Sequence, residues 1–113
     1  MASDECWLVC GDHVLASAER ANRRGARARG LLGRAGIEGA LVLAPCRSVH
    51  TLGMRFAIDV AYLDAEGVVI RVAHMRRNRI GWPVWKAKSV IEAEAGAFER
   101  WGLHVGQQVE FRE

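Results

Sequence analysis

The sequence predicts an α+β domain that is mainly β: a curled or sandwich-like sheet with one main helix near the N-terminus. Three observations predict it. Phe56–Leu63 alternates cleanly between two apolar faces, the period of a strand. Short apolar runs punctuated by Gly, Asp and Pro recur from end to end, the pattern of many short strands. Only Ala18–Leu32 has sustained helical composition.

The elements follow in order. Cys6–Val9 and Val14–Ala16 flank Gly11-Asp12 and read as a small hairpin. Ser17 stands as a helix N-cap, with Arg20 where a capping-box Glu would be. In the helix expected over Ser17–Leu32, Arg20, Arg23, Arg24 and Arg27 form one solvated stripe at i, i+3, i+4, i+7. Ala21, Gly25, Ala28 and Leu32 form the neighbouring face, small enough to lie flat on a sheet. Gly33, Gly36 and Gly39 make a loop. Ala40–Ala44 is a short buried strand stopped by Pro45, and β-branched residues extend Arg47–Thr51 up to Gly53.

Phe56, Ile58, Val60 and Tyr62 take one face of the next strand; Ala57, Asp59, Ala61 and Leu63 take the other. Both faces are apolar except at Asp59, so this strand is expected to be central and covered on both sides. Asp64–Gly67 is a turn, and Val68–Ala73 returns as the hairpin partner. Met75–Lys88 has no period and reads as a basic, aromatic loop. Ser89–Ala95 alternates again. Gly96–Trp101 can form a helical turn or two ended by Gly102, and Gln107–Arg112 is a last strand with Val109 and Phe111 inward.

The whole chain, residues 1–113, is expected to be one domain with a modest core. Apolar residues make up 50% and charged residues 26%, ordinary for a soluble globular protein. No apolar run approaches the ~18–20 residues of a membrane helix. The N-terminal MASDECWLVCGD is acidic and lacks the basic-then-apolar order of a signal peptide, so a cytoplasmic location and no membrane partner are expected. Cys6 and Cys10 on one strand would stand ~13 Å apart, too far to bridge. Without a C-x-x-C pair, a finger-type zinc site lacks its ligands. No metal or cofactor is assigned, and reduced cysteines are expected.

Three constellations could carry chemistry. The first is Asp59 in its apolar strand. Structurally it reads as a carboxylate held by a buried arginine, Arg34 or Arg29; functionally, as a general base or a ligand-binding acid. Glu92 is expected to satisfy another member of the Arg27–Arg34 group, making Arg29, Arg34, Asp59 and Glu92 the candidate structural ion pairs. The second is Cys46 with His50, spaced C-x3-H, weak candidates with Asp59 for a catalytic or soft metal site; the plainer reading is a buried thiol and a backbone-bonded imidazole. The third is the loop carrying Arg76, Arg77, Arg79, Trp82, Trp85, Lys86 and Lys88. Arginine beside exposed tryptophan suits an anion or single-stranded nucleic acid, whereas tryptophans in small domains are usually core plugs. The net charge of +3 is below the footprint of an obligate nucleic-acid binder.

At RARGLLGR (27–34), GMRFAIDVAYLDAEGVV (53–69), SVIEAEAG (89–96) and GLHVGQQV (102–109), the chain resembles the bacterial and archaeal family catalogued as domain of unknown function 192, over about residues 14–111. The resemblance implies a compact, mainly β fold with one packed helix and no established activity. The family's Arg-x-x-Gly-Leu-x-x-Arg pattern falls on Arg27, Gly30, Leu31 and Arg34. Its Leu-Asp pair falls on Ile58 and Asp59, and its Leu-Glu before a glycine on Ile91, Glu92 and Gly96. The chain departs at His50-Thr51-Leu52-Gly53, where many members read Trp-Met-Lys-Asn, at Ala57 in place of a proline, and at Gln107 in place of an aspartate.

The favoured reading is a non-catalytic ligand-binding or interaction module with a small-molecule or anionic ligand. Nucleic-acid or anion binding through the 76–88 loop is the first alternative. A Cys/His-dependent enzyme or metal site at 46–59 is the second.

Overall fold

The computed structural model describes residues 5–21 and 36–113. Among these residues seven strands form one sheet: β1 (Glu5–Cys10), β2 (His13–Ala21), β3 (Ala40–Leu43), β4 (Ile58–Leu63), β5 (Val69–Met75), β6 (Ser89–Glu94) and β7 (Glu110–Arg112). Their order is β5-β4-β6-β3-β2-β1-β7. Every pairing is antiparallel except β2 with β3. The sheet curls until the start of β5 meets the approach to β7. There Val69 N–H donates to Gln107 O (2.8 Å) and Val109 N–H to Gly67 O (2.9 Å), so the backbone at this corner of both edges is paired rather than open.

The alternation read in the sequence divides the core in two. Ala61 and Leu63 of β4 join Leu8, Val42, Ile91 and Val109 inside the curl. Ile58, Val60 and Tyr62 face the other way, with Leu41, Leu43 and Val90, under the loops around Val49, Met54 and Ala87. All six residues of β4 are buried, as expected of a central strand covered on both faces.

The helix expected near the N-terminus is corrected. Ser17 caps no helix: Ser17–Ala21 continue β2, while residues 22–32 lie outside the described residues. Arg20 accordingly belongs to no helical stripe. Its guanidinium bonds the Phe111 carbonyl and the Glu113 carboxylate, both at 3.2 Å, across the sheet. Alanine favours a helix intrinsically. Here both edges of the segment are hydrogen-bonded, to β1 and to β3, and Ala18 and Ala21 are buried where only small side chains fit. Tertiary pairing overrides propensity. Gly39 shows how close the packing is, since a Cβ there would collide with the Ser17 carbonyl.

Among the described residues the helix is α1 (Ala97–Trp101), near the C-terminus, ended by Gly102 at φ 69°. It packs Ala97 and Phe98 against the Ala61 side of β4. No helix among the described residues is long and apolar enough to cross a membrane. Cys6, Cys10 and Cys46 are free thiols.

Candidate functional site

The site is built where two loops meet over the end of β5. Thr51, fully buried, joins them. Its N–H donates to Arg79 O (2.7 Å), its carbonyl accepts the N–H of Asn78 (2.9 Å), and its Oγ1 accepts the Arg79 N–H (2.8 Å) while donating to Arg76 O. Asn78 adopts φ 59°, a conformation asparagine tolerates better than most residues, and its side-chain carbonyl accepts the Gly53 N–H (2.9 Å). Gly81 N–H to Val49 O and Val84 N–H to Arg47 O extend the zipper. The stretch carrying Cys46 and His50 and the 76–88 loop, singled out separately from the sequence, are thus joined by hydrogen bonds.

Below this clamp lies a groove of about 440 Å³. Arg71, Arg76, Arg79, His74, Ile80 and Trp82 line it, with Tyr62 and Gly81 at its floor. None of the three arginines forms an ion pair with a described residue. Tyr62 is only 2% exposed, and its hydroxyl has no hydrogen-bond partner among the described residues, yet it is not sealed from the groove. Burial pushes the Tyr62 phenol up from its ordinary value near 10, with Arg71 opposing the shift. Ile80 and Trp82 at the groove, and Trp85 beyond it, are 73%, 82% and 74% exposed. They are not core plugs: buried Ala87 and half-buried Val84 anchor the loop and hold the tryptophans outward.

The expected residues fall in three places. Arg76, Arg79 and Trp82 line the groove; exposed Trp85 and Lys86 stand outside its lining. Arg77 is diverted to the clamp, its Nε donating to Met54 O (3.0 Å). Cys46, His50 and Asp59 lie outside the groove lining and are engaged separately. Cys46 Sγ donates to Ser48 O at 3.2 Å, and His50 Nδ1 accepts the Leu52 N–H at 3.3 Å. Asp59, 8% exposed, accepts the N–H groups of Gly96 (3.0 Å) and Phe98 (3.2 Å) on Oδ2, and His74 Nδ1 lies 3.2 Å from Oδ1. A carboxylate there can only accept, so Nδ1 carries the proton. Arg29 and Arg34 lie outside the described residues. Glu92 is buried, and Glu94, on the same face of β6, pairs with Arg100 at 2.6 Å. Among the described residues no three His, Cys, Asp or Glu side chains gather as a metal site.

Sequence reasoning missed Thr51, Asn78, Tyr62, Arg71 and the His74–Asp59 contact. Tyr62 and Arg71 were findable as facing residues of the β4–β5 hairpin. A bulge between Tyr62 and Leu63 spoils that count, because continuing the Leu63–Val69 register without it would set Asp59 opposite Ala73 rather than His74.

The fold and groove together define a small curled-sheet domain with a basic, aromatic-rimmed concavity at one sheet edge. The family model for domain of unknown function 192, an uncharacterised ACR family, matches residues 9–111, and the chain belongs to that family. It is 34% and 38% identical over 64 residues to UPF0127 proteins of Pyrococcus furiosus and Pyrococcus abyssi. Each match covers 57% of this chain and 55% of the relative, so the matched stretch spans about half the length of these curated relatives. Two solved structures share the fold. One, a protein of unknown function from Novosphingobium aromaticivorans, superposes with a TM-score of 0.76 at 20% identity, over 93% of this chain and 83% of its own. The other, a candidate transcription regulator from Sinorhizobium meliloti, gives 0.77 at 16% identity, over 98% and 97%.

Proposed function

We propose that this protein is a non-catalytic ligand-binding module whose groove holds a small anion. The observation that carries the reading is the convergence of Arg71, Arg76 and Arg79 on one concavity with no carboxylate among its lining residues. Guanidinium groups in that setting take phosphate or carboxylate oxygens in charge-assisted hydrogen bonds. The unpartnered Tyr62 hydroxyl adds a donor at the floor. The clamp through Thr51 fixes the two loops before any ligand arrives, which lowers the ordering cost of binding.

Chemistry at Cys46 gains no comparable support, because Cys46, His50 and Asp59 share neither the groove nor a hydrogen bond with one another. The test is calorimetric titration with inorganic pyrophosphate at low salt. Saturable binding is expected, weakened at least tenfold in the Arg71→Gln/Arg79→Gln double variant. A flat titration of the folded wild-type protein would sink the reading.

A further inference from the structure

We infer that the ligand of this groove is single-stranded nucleic acid, one nucleotide seated in the concavity and the next running over Trp85; the inference rests on the anion-binding reading above. The Trp82 ring and three guanidiniums line the same concavity, so a flat base and its phosphate can be held together there. Trp85 is exposed three residues on, with exposed Lys86 and Lys88 beside it, so the same pairing of aromatic face and cation repeats outside the groove.

The loop is ordered for this purpose from below. Val84 N–H bonds Arg47 O (2.8 Å), Ala87 N–H bonds Val84 O (2.9 Å), and Ala87 is fully buried. Two tryptophans held in solvent by a pinned backbone are stacking platforms, since every base offers a π-face and none need be read by its edge. Charge complementarity selects the partner. The lining cations lie within the concavity rather than ringing an apolar tip, which suits a strand threaded along them better than a flat lipid surface.

The experiment uses fluorescence anisotropy of labelled mixed-sequence DNA and RNA octamers at low salt, with four comparison probes: inorganic pyrophosphate, an abasic octamer, the duplex form, and phosphatidylserine vesicles. The strands are expected to bind more tightly than the abasic octamer and the duplex. Trp82→Ala and Trp85→Ala, both at exposed positions, should each weaken the strand about tenfold. Trp85→Ala should leave pyrophosphate binding unchanged. With three to five phosphates neutralised, log affinity should fall against log salt with a slope of about −2 to −3.5.

Equal binding of the abasic octamer or the duplex overturns the inference while leaving the anion site standing. So does binding to vesicles without binding to strands. Loss of pyrophosphate and strand binding together removes both readings.

Discussion

Asp59 in the middle of β4 accepts the backbone N–H of Phe98 at 3.2 Å, and so caps the helix α1 from another element of the fold. The helix has no side-chain cap of its own, because Gly96 holds its N-cap position. A five-residue helix cannot stabilise itself. Its exposed donors need an acceptor, and the carboxylate also complements the positive end of the helix dipole. The one polar residue in a buried strand is thereby accounted for as a tertiary cap. Asp59→Ala should lower stability by ~2 kcal/mol, and Asp59→Asn, which keeps one acceptor, by ~1 kcal/mol. Urea unfolding measures the loss. Hydrogen exchange should quicken first at the Gly96 and Phe98 amides; unchanged exchange there would refute the capping role.

A second prediction concerns the clamp. Thr51→Val keeps the shape but strips the acceptor from the Arg79 N–H and the donor from Arg76 O. A cost of ~1–3 kcal/mol is expected for the groups left unpaired, and Thr51→Ser should restore most of it. Pyrophosphate affinity should fall in parallel, since Arg76 and Arg79 then hang on a loosened loop. If stability drops while binding stays intact, the groove does not depend on the clamp.

Much of this fold is legible in the sequence alone. The period-2 pattern of 56–63 placed β4, its two covered faces and the hairpin to β5. Glycines at 67, 96 and 102 marked turns and helix ends that the backbone realises with positive φ. The N-terminal half resisted because Ala18 and Ala21 satisfy helical composition equally well, and only pairing with β1 and β3 decides against it. The groove resisted for another reason. Its parts come from β4, β5 and a loop without period, and they meet through backbone hydrogen bonds that side-chain patterns do not encode. Thr51 and Asn78 look like loop filler until their partners are seen.

Gly81 supplies a third prediction. A Cβ added there would lie 2.9 Å from Val49 O and 3.5 Å from both the Tyr62 hydroxyl and Met75 Cε. The backbone oxygen cannot yield without breaking the Gly81–Val49 hydrogen bond that holds the loop down. Gly81→Ala should therefore cost ~1–3 kcal/mol, as overpacking does. It should also lift the loop from the groove floor and weaken pyrophosphate binding several-fold in the protein that remains folded. A variant of wild-type stability and affinity would show that the loop can move aside freely.

The last prediction uses a convenience of composition: Tyr62 is the only tyrosine in the chain. Absorbance near 295 nm on an alkaline titration therefore reports this one phenol. Burial raises its pKa above the ordinary value near 10, Arg71 opposes the shift, and Cys46 and Glu92 add to it. The native midpoint should lie above that of the same chain in urea. Arg71→Gln removes the opposing cation and should push the midpoint higher still.

The sign for stability follows from linkage. The neutral phenol is the form the fold prefers, so its contribution is fully present below pH ~10 and is lost as pH rises through the raised native pKa. Tyr62→Phe should abolish that share of the alkaline slope in urea-unfolding stability while leaving the share due to lysines. Ionised Tyr62 would also set a negative charge at the floor of the proposed anion site, so pyrophosphate affinity should fall over the same range in wild type and less steeply in Tyr62→Phe. A native midpoint at or below that of the unfolded chain would contradict burial as the dominant influence on the phenol.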